Sequence, residues 1–140
     1  MEATAHPMAP RSHASVATWA GRVMSGVAIV FLAVDGLVKV LRLPPAMEGT
    51  AQLGYPLDVV FPLGVVLLIC VLAYATPRTS FWGAVLLTGY LGGAIATHVR
   101  VGNPLFTHVL FPVYVAALLW GGLLLRDPRL RAALSPSARR

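Results

Sequence analysis

"LDVVFPLGVVLLICVLAY" covers residues 57–74 and holds one charged side chain, Asp58, at its second position. With about 1.5 Å of rise per residue, a helix of this length runs roughly 27 Å, close to the thickness of a bilayer's hydrocarbon core. A barrel strand would be shorter and would alternate apolar with polar positions, and this stretch does neither. The stretch is built for lipid.

Three further apolar runs occupy residues 18–41, 80–99 and 105–125. Together the runs predict an all-α, four-helix transmembrane bundle. The short connections at 75–79 and 100–104 make neighbouring helices antiparallel. The link at 42–56, "RLPPAMEGTAQLGYP", is longer. Pro44 and Pro45 stop the first helix. "PAMEGTAQLG" predicts a short interfacial helix, with proline at its start and Gly54 past its end. Residues 1–17 are expected to form a disordered tail, 18–125 the transmembrane domain, and 126–140 a basic cytoplasmic tail. The stretch at 56–68, "PLDVVFPLGVVLL", echoes "PLFTHVLFPVYVAALL" at 104–119 after a short gap. Such an echo admits a parallel two-helix repeat.

Composition agrees. Hydrophobic residues make up 57% of the chain and charged residues 11%, against about 25% charged in soluble domains. Mean hydropathy is +0.75. The net charge of +6 comes from 11 basic and 5 acidic residues. The bases sit between and beyond the apolar runs without an aromatic-basic motif, which argues against nucleic acid. Eight arginines (11, 22, 78, 126, 129, 131, 139 and 140) fall on the side of the termini, and Lys39, Arg42 and Arg100 on the other. The positive-inside rule then places both termini in the cytoplasm. Cys70 is the sole cysteine, so no intrachain disulfide or redox pair forms.

The polar residues are one-sided. Asp35, Lys39 and Arg42 end the first span, Asp58 starts the second, His98 and Arg100 end the third, and His108 starts the fourth. Asp35 and Lys39 are four apart and share a helical face. Traced backward, that face reads Ala28, Ser25 and Gly21, small residues suited to a helix contact. A charge well inside hydrocarbon costs roughly 2.5–3.5 kcal/mol, and Lys39 is the nearest partner to offset it for Asp35. Gly89 and Gly93 form a GxxxG pair, expected to pack against a neighbouring helix. Pro112 has no N–H for the carbonyl of His108 and would leave it free. The candidate ligand-binding set is therefore Asp35, Lys39, Asp58, His98, Arg100 and His108. No metal site is expected. The same residues also fit an intrahelical ion pair, an arginine reaching to headgroups and ordinary interfacial histidines.

"LGYP" (53–56), the run 77–113 with "TGYLGGA", "THVR" and "LFPV" inside it, and "WGGLLLRDPRLR" (120–131) resemble the DoxX-like family of small bacterial membrane proteins. The resemblance covers about residues 20–132. It implies a bundle fold in a bacterial inner membrane. The broader DoxX family is linked to terminal quinol oxidation, sulfur-compound oxidation and oxidative-stress complexes. No family catalytic residue is carried over.

Three function classes follow. The first is an accessory subunit of a membrane redox system, holding quinone or a partner enzyme. The second is a structural or assembly protein without a ligand. The third is a small carrier or isomerase for an apolar ligand. Haem is disfavoured, because His98 and His108 sit beside a turn rather than facing one another across a ring. Whether a reaction is catalysed, and the oligomeric state, stay open at this level.

Overall fold

The computed structural model describes residues 12–134, with side chains from 16 to 133. Among them every regular element is helical. Helix α1 is Ser12–Val40, α2 Pro44–Gln52, α3 Val60–Ala75, α4 Ser80–Arg100, α5 Phe111–Arg126 and α6 Pro128–Leu134. Four stretches are long and apolar enough to cross a membrane: Val16–Val40, Leu57–Ala75, Ser80–Arg100 and Leu105–Arg126. The chain is a multi-pass membrane protein. Without water in the hydrocarbon, backbone polar groups must be satisfied within each span, which selects helices.

Some expected boundaries are corrected. Residues 12–17, assigned to a disordered tail, belong to α1. The rest of that tail, 1–11, lies outside the described residues, as do 135–140 at the other end. The expected interfacial segment folds as α2. The second span opens with a 3-10 turn, Leu57–Val59. The fourth span is not one continuous α-helix: a π turn, Leu105–Val109, gives way to α5 at Phe111. Pro112 stands at the start of α5, where the first N–H groups have no intrahelical partner anyway. It begins a helix instead of breaking one.

Three helices close with the same pair of backbone bonds. Leu43 and Arg42 N–H reach the Val38 and Lys39 carbonyls, Tyr55 and Gly54 reach Thr50 and Ala51, and Asn103 and Gly102 reach His98 and Val99. Each is a Schellman motif, which needs a left-handed residue just past the helix. Those residues are Arg42 (φ 51°), Gly54 (φ 76°) and Gly102 (φ 70°). Two are glycine, for which the conformation carries no Cβ penalty. Asp127 caps α6, its Oδ1 accepting from Arg129 and Leu130 N–H at 3.0 and 3.2 Å.

Helix α1 packs on α3 and α5, and α4 packs on the same two. The spans therefore close a ring in the order α1, α3, α4, α5. Close approach comes from small residues on α1. A Cβ at Gly122 would lie 2.8 Å from the Ser25 nitrogen and 3.0 Å from the Gly21 oxygen, and one at Gly64 would lie 2.9 Å from the Gly36 oxygen. The face of α1 expected to meet the bundle does so, with Ser25, Ala28 and Leu32 all buried.

The half of the bundle nearer the termini is solid. Leu67, Tyr74, Ala84, Leu87 and Leu119 are fully buried there. Tyr74 Oη donates to the Leu119 carbonyl at 2.7 Å and accepts from Ser25 Oγ at 2.9 Å. Ser80 Oγ donates to the Tyr74 carbonyl at 2.8 Å. The Arg126 guanidinium reaches Ser80 Oγ at 3.1 Å and lies 5.0 Å above the Tyr74 ring. One tyrosine thus ties all four spans. Replacing Tyr74 with Phe should lower stability by about 1–3 kcal/mol, since two buried groups lose their partner. Thermal unfolding in detergent reads the loss.

A chamber under a short helical roof

The other half of the bundle is hollow. A cavity of about 630 Å³ lies between the four spans, on the side of the bundle where α2 and the Tyr55 link cross. Leu32 and Phe31 of α1, Leu63 of α3, and Phe111 and Val115 of α5 make its apolar walls. Phe31 and Phe111 meet edge to face, centroids 5.4 Å apart. Thr50, Leu53 and Tyr55 form the roof.

The fourth wall is α4, and here a sequence expectation is corrected. Gly89 and Gly93 were assigned to helix packing. Both line the chamber, and a Cβ at either would meet nothing within 4 Å. No described helix packs against them. With Ala94 beside them, they contribute space: larger side chains here would fill the room that the glycines leave.

The polar groups sit at the roofed end. Lys39 Nζ donates to Asp35 Oδ1 at 2.5 Å, and both residues line the chamber. Tyr55 Oη donates to Thr97 Oγ1 at 2.9 Å, and Thr97 Oγ1 donates to the Gly93 carbonyl at 2.9 Å. Tyr90 also lines the cavity. A second compartment of about 390 Å³ adjoins the first and shares Asp35, Lys39, Thr50, Leu53 and His98 with it. Asn103 and His108 complete its polar side. The arrangement is an apolar chamber and a more polar vestibule that share the Asp35–Lys39 ion pair as part of their lining.

The six candidate residues divide accordingly. Asp35, Lys39 and His98 line both compartments, and His108 lines the vestibule. Asn103 Nδ2 donates to His98 Nδ1 at 2.8 Å, which leaves the ring proton on Nε2. The His98 and His108 rings touch edge to face, centroids 5.6 Å apart, so they contact each other directly instead of ranging across a flat macrocycle. Arg100 and Asp58 line neither compartment. Asp58 is exposed in the 3-10 turn. Arg100 donates to the Leu53 carbonyl at 2.6 Å and lies 5.7 Å over the Tyr55 ring, so it pins the roof. Arg42 stands 5.8 Å over Phe61. Among the described residues no three His, Cys, Asp or Glu side chains gather as a metal site would require.

Sequence reasoning left Tyr90, Tyr55, Thr97 and Thr50 out of the set. Tyr55 and Thr97 are 42 positions apart, and nothing in a single sequence pairs them.

Two outcomes check this geometry. Gly93→Ala should leave stability unchanged or raise it by up to about 1 kcal/mol through helix propensity alone, while Gly122→Ala should lower it by about 1–3 kcal/mol through overpacking. Comparative thermal unfolding decides; equal losses would put a helix against Gly93. Arg100→Ala should speed amide hydrogen exchange across residues 44–56 while leaving α3 and α5 protected.

No curated protein and no solved structure matches the chain. The family model described as the DoxX-like family matches residues 23–122. That match takes in α2, α3 and α4 whole and most of α1 and α5, including every residue of the chamber wall and roof. The chain belongs to the DoxX-like family.

Proposed function

We propose that this membrane protein binds a quinone-type ligand, an apolar molecule with a small polar head, as an accessory subunit of a membrane redox system. The observation that carries the reading is the chamber itself. Binding sites for small molecules are concave, mostly apolar and furnished with a few placed polar groups, and a volume of about 630 Å³ falls within the usual range of a few hundred to about 1,000 Å³. A quinone ring presents two carbonyls, which need donors. Lys39 and Tyr90 supply an ammonium and a phenol at the chamber surface. The apolar walls suit the ring and the first part of its tail.

The redox setting rests on the broader family's links to quinol oxidation. With the termini in the cytoplasm, the vestibule faces the periplasmic side of a bacterial inner membrane. Asn103, bonded to His98, and His108, whose ring meets that of His98, then line the polar end toward that surface.

The test is calorimetric titration of the detergent-solubilised chain with a short-chain alkyl benzoquinone. Saturable binding is expected. Gly93→Leu, which projects a side chain into the chamber, should abolish it with no loss of thermal stability. Binding that persists in both Gly93→Leu and Gly89→Leu would place the ligand elsewhere and overturn the reading.

A further inference from the structure

The chamber carries two formal charges, and they cancel. Among its lining residues only Asp35 and Lys39 are charged, and they are bonded to each other. The nearby cations are engaged outside it: Arg100 on the Leu53 carbonyl and Arg42 over the Phe61 ring. Asp58 does not line the cavity. In the lining that chamber and vestibule share, a polar head group therefore meets a carboxylate and an ammonium together, on one face of α1.

This has a selective effect. In a low-dielectric site a third charge has no partner to itself. A carboxylate or phosphate head drawn to Lys39 is repelled by Asp35, and an ammonium head drawn to Asp35 is repelled by Lys39. An uncharged head avoids both penalties. The ammonium has donors beyond the one it gives Asp35, and the carboxylate has lone pairs beyond the one it uses. A carbonyl, phenol or alcohol can take up that spare capacity while the pair stays intact.

We infer that the Asp35–Lys39 pair is a charge filter in the wall shared by chamber and vestibule, accepting amphiphiles with uncharged polar heads and excluding anionic and cationic ones. The inference rests on the ligand-binding reading of the chamber and narrows its ligand class: free fatty acids and anionic phospholipids fall outside it, and quinones, quinols and long-chain alcohols inside it.

The experiment offers the full-length, detergent-solubilised chain an equimolar mixture of dodecanol and dodecanoate at mildly alkaline pH and reads the bound ratio by native mass spectrometry. The probes share a chain length and differ in the head. The wild type should favour dodecanol. Asp35→Asn keeps the shape but leaves Lys39 unopposed, and should move the ratio toward dodecanoate by roughly tenfold or more, the scale of a relieved like-charge contact. Lys39→Met, a second route should the first variant fail to fold, should move selectivity toward dodecylamine in a parallel competition. Gly93→Leu should remove both probes, which locates them in the chamber. A wild type that prefers dodecanoate, or folded variants with an unchanged ratio, overturns the filter while leaving the chamber as a site. A wild type that binds neither these probes nor the benzoquinone overturns the filter and the ligand reading together.

Discussion

Tyr74 holds the molecule to one shape. Its hydroxyl bridges α1 and α5 through Ser25 and the Leu119 carbonyl, and its own carbonyl receives Ser80 of α4. In hydrocarbon the usual driving force for helix association is missing, because lipid tails are as apolar as leucine. Packing and hydrogen bonds must do the assembling. A buried, fully satisfied network fixes helix register in a way that interchangeable aliphatic contacts cannot. The glycine and serine contacts between α1 and α5 bring the backbones close enough for the tyrosine to reach both sides.

Because one half of the bundle is fixed in this way, the other half tolerates a void. A cavity of some hundreds of cubic ångströms forfeits dispersion contacts along its whole lining. Here the void lies toward α2, and its lining comes no nearer the Tyr74 network along α5 than Val115, about one turn from Leu119. The roof is attached by the Arg100 bond to the Leu53 carbonyl and by the Tyr55–Thr97 hydroxyl pair. Both attachments run to the last turn of α4, so the end of one membrane span positions the cover over the space between all four.

The spans were legible because their signal is local: apolar length, short links and proline stops each declare themselves within a few residues. The left-handed closure at Gly54 follows from the same short-range grammar. The Asp35–Lys39 pair was legible through its four-residue spacing. The misreadings have one common cause. Gly89 and Gly93 present the same pattern whether a helix or a void lies opposite, and a sequence does not state which. Arg100 looked like a ligand-facing cation because its acceptor is a backbone carbonyl 47 residues away, which no residue type reveals. Asp58 was grouped with the others by its end of the bundle, yet the 3-10 turn carries it to the surface. The π turn ahead of α5 was hidden for a related reason: Pro112 signals a disturbance but does not say whether it interrupts a helix or opens one.

Helix α2 is bounded by two left-handed joints, Arg42 and Gly54, and it hangs from the rest of the protein by a handful of bonds. Its residues contribute little to holding the spans together. A lineage can therefore rewrite this short segment, and with it the shape of the space beneath, without disturbing the part of the chain on which insertion and assembly depend.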